Sequence, residues 1–178
     1  MTDLKIQEYV FNTSFYSIYT HFNTEKIKQY VKKLKVNLSG NHKTTFFMNE
    51  KLIVEDSLKE FMEHISKHIL IYVTQIQNKT NFSFIDCWFQ IYNYQNNHDI
   101  HNHGMNLKQY SLIYYVQSSV DSGATRFYPP GFPYIDSGNI DIRAEDNKLV
   151  IFPSYLAHQA LPNKDKERII FSANFTIE

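Results

Sequence analysis

Cysteine, glycine and proline are scarce in this sequence, and neither sign of charge is in excess. Among 178 residues there is one cysteine, Cys87, which cannot form an internal disulfide; this predicts a reducing compartment such as the cytoplasm. Lys plus Arg and Asp plus Glu number 18 each, so no net field would draw a polyanion to the surface. The composition therefore argues against nucleic-acid binding by bulk charge.

Long hydrophobic runs are also absent. A membrane-spanning helix needs about 20 consecutive apolar residues, whereas Ile69–Val73 is a short run with polar neighbours. The N-terminal residues lack the basic and then apolar layout of a signal peptide, which again favours a cytoplasmic protein. The length and the 43% hydrophobic content predict one domain over residues 1–178, with no membrane partner; the oligomeric state is not specified by the sequence.

The first 80 residues predict one or two strands followed by two supporting helices. Aromatic and β-branched residues are dense between Lys5 and Thr20, as they are in strands. From Thr24 onward apolar residues recur every three or four positions, which predicts a short amphipathic helix. A longer helix should begin at the capping box Ser57-x-x-Glu60. Its apolar stripe, which should lie flat against a sheet, consists of Leu58, Phe61, Met62, Ile65, Ile69, Tyr72, Val73 and Ile76.

Residues 81–178 show a different pattern, with short apolar or alternating runs separated by turns. Helices followed by strands without intervening helices indicate an α+β protein with an antiparallel β core, either a sandwich or a barrel. The segment Ser118–Asp146 holds most of the glycine and proline and should be a loop-rich excursion. The predicted strands are Phe82–Tyr94, Ile100–Gly104, Tyr110–Gln117, Thr125–Tyr128, Ile140–Arg143, Lys148–Phe152 and Arg168–Thr176.

Histidines cluster in this β-rich half. In an extended strand Asp99, His101 and His103 would point to one face with Cβ atoms about 6–7 Å apart, close enough for two of them to reach the same ion. His158 follows a strand and the turn at Pro153, so it could supply a ligand from a distant part of the chain. Imidazole suits iron, zinc, copper and nickel. The remaining histidines, expected to be ordinary surface or helix residues, are His21, His42, His64, His68 and His98.

Arg168 opens the last predicted strand, and two interpretations of it are possible. If its side chain points inward, the buried guanidinium requires an anionic partner, which it can bind bidentately. Ile170, Ser172 and Asn174 would then share its face and form a partly polar pocket wall. If it points outward, it merely begins an exposed edge strand.

Several motifs follow one another in a definite order. They are His101-x-His103, the strand Leu112–Val116, the loop Ser122–Gly131, the strand Leu149–Pro153, His158 and Arg168. Together they resemble the iron(II)- and 2-oxoglutarate-dependent dioxygenases of the prolyl-hydroxylase-like superfamily. With Trp88 they look more narrowly like the 2-oxoglutarate–iron(II) oxygenases of phages and marine bacteria. The resemblance covers about residues 84–176.

The resemblance implies a double-stranded β-helix, or jelly roll, with the N-terminal helices packed on one face. It also implies a hydroxylase that uses Fe(II), 2-oxoglutarate and O2 and releases succinate and CO2. His101 and His158 would be metal ligands, and Arg168 would bind the distal carboxylate of 2-oxoglutarate. Tyr115 and Tyr92 would be further cosubstrate contacts, and no residue beyond the metal ligands is expected to be catalytic.

His103 departs from the pattern of the family, because it stands where the carboxylate ligand, Asp or Glu, would be. Three imidazoles would leave the ion its full double charge until the 2-oxoglutarate dianion binds. Asp99, on the same predicted strand face, is the alternative third ligand. We favour His101, His103 and His158 as the ligand set, because in this fold the turn aims the residue two positions after the first ligand at the metal.

Two other functions fit part of the pattern. A cupin also has a His-x-His and a later histidine, but Tyr155 replaces the glycine of its second motif, the expected glutamate is absent from residues 106–109, and Arg168 would have no role. A non-catalytic β-sandwich binding protein could hold a structural zinc, for which Cys87 is the available thiol. The substrate, a small molecule or a peptide, stays undefined. The aromatic and proline-rich residues 118–146 either form a lid or rim for it or simply pack over an edge of the barrel.

Overall fold

The computed structural model of the protein describes residues 13–46, 55–134 and 138–178. The helices are α1 (Glu25–Lys33) and α2 (Asp56–Gln75). The strands are β1 (Tyr16–Tyr19), β2 (Asn37–Ser39), β3 (His42–Thr44), β4 (Phe82–Asn93), β5 (His98–His101), β6 (Gln109–Gln117), β7 (Thr125–Phe127), β8 (Ile140–Ile142), β9 (Lys148–Pro153), β10 (His158–Ala160) and β11 (Glu167–Ile177).

The strands form two antiparallel sheets. The order in the larger sheet is β1-β9-β6-β11-β4-β3-β2, and in the smaller sheet it is β5-β10-β7-β8. The strand pairings within the described residues are all antiparallel. Two helices combined with antiparallel sheets confirm the predicted α+β class with an antiparallel β core, although β1 precedes α1 and the hairpin of β2 and β3 separates the two helices.

Both helices pack on the larger sheet through their apolar stripes. The core there combines residues of α1 and α2 with inward residues of β4, β6, β9 and β11. Phe61 of α2 has no exposed surface, and its ring centroid lies 5.2 Å from those of Tyr114 and Phe171. In the described residues, neither helix has the length and apolar character that crossing a membrane requires.

The predicted capping box of α2 is wrong. The helix begins at Asp56, so Ser57 lies inside its first turn, and the N-cap residue Glu55 makes no side-chain capping hydrogen bond. Most of the apolar stripe is confirmed, because Leu58, Phe61 and Ile65 are buried together with Ile69, Tyr72 and Val73. Met62 is half-buried, whereas Ile76 caps the C-terminus of the helix and is exposed, so the stripe ends earlier than predicted. Periodic burial therefore specifies this helix better than its terminal polar residues do.

A second core lies between the two sheets. It joins residues of the larger sheet, such as Ile113 and Ile170, to Phe127 and Ala160 of the smaller one. Polar side chains interrupt this core near β5 and β10. The functional site is built at that interruption.

Several short strands depart from the sequence prediction. The β2–β3 hairpin and β10 were not predicted, because three-residue strands contain too few positions to show a period. β5 is shifted toward the N-terminus relative to Ile100–Gly104, since it pairs with β10 only between His98 and His101. Of the strands predicted between Lys5 and Thr20, β1 is observed, and residues 5–12 lie outside the described residues.

Candidate metal centre

Three histidines converge where β5 meets β10. His101 ends β5 and pairs directly across the sheet with His158, the first residue of β10, while His103 follows β5 by two residues. Potential ligand nitrogens of these three side chains all lie within 4.8 Å of one another. From the sequence we expected His158 to lie in a turn after a strand. In the structure it begins β10, and the antiparallel pairing of β10 with β5 brings it opposite His101.

Two of the histidines are held by backbone carbonyls. The Nδ1 of His101 lies 2.7 Å from the carbonyl oxygen of Asp99, and the Nδ1 of His158 lies 2.9 Å from that of Leu156. A carbonyl oxygen can only accept, so each ring carries its proton on Nδ1 and leaves the Nε2 lone pair free. This is the arrangement in which a histidine is oriented to bind a metal through Nε2.

Burial keeps all three imidazoles neutral. Desolvation lowers the pKa of His101, lowers that of His103 to about 4, and lowers that of His158 well below its usual range. Mutual repulsion among the rings acts in the same direction on His103 and His158. Neutral imidazoles at physiological pH are the form that coordinates a metal ion without first releasing a proton.

Asp99 is placed differently from its predicted position. It is exposed, its side chain accepts a hydrogen bond from Asn97 at 3.3 Å, and it does not join the group formed by the three histidines. Its contribution to the site is its backbone carbonyl, which holds His101.

Two histidines expected to be ordinary lie beside the centre. The ring of His98 stacks on that of His101 with centroids 3.9 Å apart, and His42 is 2% exposed and lies 4.4 Å from His98. The side-chain amide of Gln90 contacts both rings, at 3.1 Å from His42 and 3.3 Å from His98. The expectation of an ordinary surface or helix residue was wrong for His42, because it lies buried on β3 of the β2–β3 hairpin.

Arg168 points inward and is 1% exposed. The edge-strand interpretation is wrong, because β11 runs between β4 and β6 in the larger sheet. The guanidinium donates to the carbonyl oxygens of Gly123 and, at 3.5 Å, Leu161, and it lies 4.3 Å from the ring centroid of Tyr92. Its Nε has no hydrogen-bond partner, and among the described residues no carboxylate pairs with it.

Tyr92 and Tyr115, the two tyrosines expected to contact the cosubstrate, lie near this guanidinium. The ring of Tyr92 is stacked between Arg168 and His42, whose centroid is 5.0 Å away. The hydroxyl of Tyr115 shares a 2.7 Å hydrogen bond with that of Thr125. Burial raises the pKa of both phenols while the charge of Arg168 lowers it, so both stay protonated and able to donate.

Two of the spaces that border the histidines bear on the site. A small cavity of about 20 Å³ is lined by the three histidines together with Tyr92, Thr125 and Ser172. A larger cleft of about 610 Å³ reaches His101 and His103 and includes Trp88 and Phe46 among its walls. Ser172 and Asn174, predicted to share the inward face of Arg168, are buried and line these spaces.

No family model and no curated protein sequence matches this chain. Solved structures do match, at low identity. A Pseudomonas putida prolyl-4-hydroxylase has a TM-score of 0.66 at 13% identity, over 93% of this chain and 94% of that one. A prolyl hydroxylase from Trichoplax adhaerens, in complex with a hypoxia inducible factor peptide fragment, has a TM-score of 0.67 at 16% identity, over 91% and 83%.

A third match belongs to a protein with a different ligand. HygX from Streptomyces hygroscopicus, solved with nickel, 2-oxoglutarate and hygromycin B, has a TM-score of 0.68 at 11% identity, over 92% of this chain and 83% of that one. A further match is described as a 2OG-Fe(II) oxygenase from Burkholderia pseudomallei. The chain therefore has the fold that prolyl hydroxylases and other 2-oxoglutarate–iron(II) oxygenases adopt.

Proposed function

We propose that this protein is an Fe(II)- and 2-oxoglutarate-dependent dioxygenase that hydroxylates a small-molecule or peptide substrate and produces succinate and CO2. On this proposal the two facing sheets are a double-stranded β-helix, α1 and α2 support one side of it, and residues 1–178 are one domain. The observation that carries the proposal is the convergence of three neutral imidazoles beside a buried arginine that lacks a carboxylate partner.

The histidine group fits an iron(II) ion. Its three nitrogens lie within 4.8 Å of one another, close enough to bind one ion. Three protein ligands leave positions open at a non-haem iron site. Such sites usually combine two histidines with one carboxylate, and here His103 takes the place of that carboxylate. We therefore propose His101, His103 and His158 as the ligands, because the carboxylate of Asp99 stays outside the group.

Arg168 fits the distal carboxylate of 2-oxoglutarate. A buried guanidinium with an unpaired Nε is unfavourable until an anion binds it, and a carboxylate matches its planar donor geometry. The phenol groups of Tyr92 and Tyr115 supply donors close to the same position. The cavity of about 20 Å³ that the histidines and Tyr92 line is smaller than a five-carbon dicarboxylate, so His98 and other lining side chains must move when the cosubstrate enters.

Different residues would orient the metal ligands and the cosubstrate. The carbonyl oxygens of Asp99 and Leu156 keep His101 and His158 in the tautomer whose Nε2 faces the ion. Arg168, held by the carbonyl oxygen of Gly123, would orient 2-oxoglutarate, and the surrounding aromatic side chains would exclude water. The metal and the cosubstrate together supply the oxidative chemistry, so the chain needs no separate acid or base.

The site favours this function over the two alternatives. A cupin that does not use 2-oxoglutarate has no need of a buried, anion-seeking Arg168. A structural zinc normally takes four protein ligands, and in the described residues the ligand group contains three histidines without Cys87.

An anaerobic titration tests the proposal. Protein loaded with Fe(II) should develop a weak visible charge-transfer band when 2-oxoglutarate is added, and neither component alone should produce it. Arg168→Gln should weaken 2-oxoglutarate binding by about tenfold or more, because a charge-assisted bidentate pair is lost, while the iron stoichiometry stays near that of the wild type. Arg143→Gln, which removes an equal charge from an exposed position, is the matched control.

The ligand set is tested by iron stoichiometry. His103→Ala should lower bound iron, and Asp99→Asn should not. If Asp99→Asn loses iron and His103→Ala does not, the three-histidine assignment is wrong. Absence of the visible band in metal-replete protein would refute the 2-oxoglutarate-dependent function itself.

A further inference from the structure

The cleft beside the three histidines contains one carboxylate without a cationic partner. Asp86 lies on β4, lines the cleft, and is half-buried. Its Oδ1 is shielded from solvent and has no hydrogen-bond partner among the described residues, and the ion pairs formed by those residues do not include it. No other Asp, Glu, Lys or Arg is present among the described residues that line this cleft.

The position of Asp86 follows from the alternation of side chains along β4. Asp86, Trp88, Gln90 and Tyr92 project to one face of the strand, with successive members roughly 6–7 Å apart. Tyr92 lies against the guanidinium of Arg168, whereas the ring of Trp88 is 5.5 Å from that of His103. Asp86 is therefore at the end of the row that is remote from Arg168, one step beyond the aromatic ring beside the histidines.

Polar side chains on the neighbouring strands lie next to Asp86. Asn174 directly faces Asp86 across the pairing of β4 with β11. The Oδ1 of Asn174 accepts a 2.7 Å hydrogen bond from the hydroxyl of Ser111, which leaves the amide nitrogen to donate elsewhere. Burial raises the pKa of Asp86, and hydrogen bonding from Asn174 opposes this increase. The carboxylate is thus partly desolvated, lies opposite a polar side chain, and has no cationic partner among the described residues.

We infer that the substrate carries a protonated amine or a guanidinium, which binds Asp86 while the carbon to be hydroxylated lies next to the metal centre. This inference rests on the proposed function and names the class of its substrate. An unpaired, half-buried carboxylate gains most from a cation, because attraction is stronger where water is excluded. Trp88 and Phe46, whose ring centroids are 4.8 Å apart, would flank the apolar part of the substrate and favour a nearby cation.

The single tryptophan of the chain makes this inference testable without metal or turnover. Trp88 is the one tryptophan in the sequence and lies two residues from Asp86, so its fluorescence reports binding in the cleft. The probes are the Nα-acetyl methylamides of lysine and arginine, each compared with a neutral counterpart, Nε-acetyl-lysine or citrulline. A second series places each of these four residues in the middle of a glycine- and serine-based peptide.

At least one cationic probe should bind about tenfold or more tightly than its neutral counterpart, because a charge-assisted hydrogen bond to Asp86 is available only to the cation. If the cationic probe binds more tightly than the neutral one among the small amides, the substrate is a small molecule with an amine or a guanidine. If this difference appears only among the peptides, the substrate is a polypeptide with a cationic side chain. Equal binding of cationic and neutral probes in both series would overturn the inference, even if the charge-transfer band had already established the oxygenase function.

Substitution of the carboxylate completes the test. Asp86→Asn should reduce the ratio of the affinities for cationic and neutral probes to within about twofold, because the charge that attracts the cation is removed. Asp121→Asn, an exposed position outside the cleft with the same change in charge, should keep the full discrimination. Full discrimination retained in Asp86→Asn would overturn the inference. If Asp86→Asn does not fold, as judged by circular dichroism, the wild-type comparison of cationic and neutral probes decides the matter.

Discussion

Replacing Arg168 by Met should change the stability of the ligand-free protein only slightly, although it alters a side chain that is 1% exposed. The losses are a hydrogen bond from the charged guanidinium to the carbonyl oxygen of Gly123, about 1.5–3 kcal/mol, and a longer one to that of Leu161, about 1 kcal/mol. The contact with the ring of Tyr92, about 0.5–2 kcal/mol, is lost as well. Against them stands the desolvation of an unpaired charge, which costs several kcal/mol and lowers the pKa of the guanidinium. The free energy of unfolding should therefore change by less than about 2 kcal/mol.

The same replacement should strongly reduce the stabilisation that 2-oxoglutarate provides. A ligand present at 100 times its Kd stabilises the native state by about 2.7 kcal/mol. Each kcal/mol moves the Tm of a protein of this size by about 2–4 °C, so the wild type should gain about 5–11 °C. Loss of the charge-assisted pair, about 2 kcal/mol, weakens binding about 30-fold. At the same concentration the variant should then gain only about 2–3 °C.

Thermal unfolding with Mn(II) as a redox-inert metal, with and without 2-oxoglutarate, measures both effects. Arg143→Met, an exposed arginine, is the control and should gain as much as the wild type. Equal gains in the wild type and in Arg168→Met would refute the assignment of Arg168 to the cosubstrate. A loss above about 4 kcal/mol in the ligand-free variant would show instead that the arginine belongs to a structural charge pair.

Three further outcomes are expected. Phe61→Ala should lower the free energy of unfolding in urea by about 3–5 kcal/mol, because the ring is fully buried among other rings; a loss below about 1.5 kcal/mol would contradict this packing. Burial lowers the pKa of His64 in the folded protein. The unfolded chain therefore binds a proton more readily than the folded one, so the protein loses stability as the pH falls below the unfolded pKa of about 6.5. His64→Gln should reduce the decline of Tm between about pH 7 and 5, and an unchanged slope would count against this. A Cβ at Gly123 would lie 2.4 Å from the carbonyl oxygen of Leu161, so Gly123→Ala should displace the carbonyl that holds Arg168; calorimetry should show 2-oxoglutarate binding weakened by about tenfold, and unchanged affinity would disprove that role.

Part of the site could be predicted from the sequence because it depends on local spacing. The spacing of Asp99, His101 and His103 predicted that two of them could share an ion, and the resemblance to the oxygenases added His158 from a distant strand; the structure brings the three histidines within 4.8 Å. The contribution of Asp99 could not be predicted, because the atom that contacts His101 is a backbone oxygen, which every residue type possesses. The inward direction of Arg168 likewise depends on where β11 lies in the sheet, and strand order is not encoded in the alternation of its side chains.

The surroundings of the site were less predictable, since they come from short elements. The hairpin that buries His42 has three residues in each strand, too few to show a period of two. The carboxylate of Asp86 was also missed, because an acidic residue within a mixed polar and apolar run resembles the exposed position of an amphipathic strand. Only the cleft formed by β3, β4, β5 and β11 distinguishes it from such a position.

The distribution of charge links these features. With an iron(II) ion held by three neutral histidines, the centre and Arg168 together would carry three positive charges, because no ligand carboxylate offsets them. The 2-oxoglutarate dianion would neutralise two of these charges, and in the cosubstrate-bound site one positive charge would remain. A cationic substrate would be repelled by that remaining charge unless an anion lay between the two or beside the substrate. Asp86, at the end of the β4 row remote from Arg168, is placed to supply that anion. The replacement of a ligand carboxylate by His103 and the presence of an unpaired carboxylate farther along the cleft are therefore parts of one electrostatic arrangement.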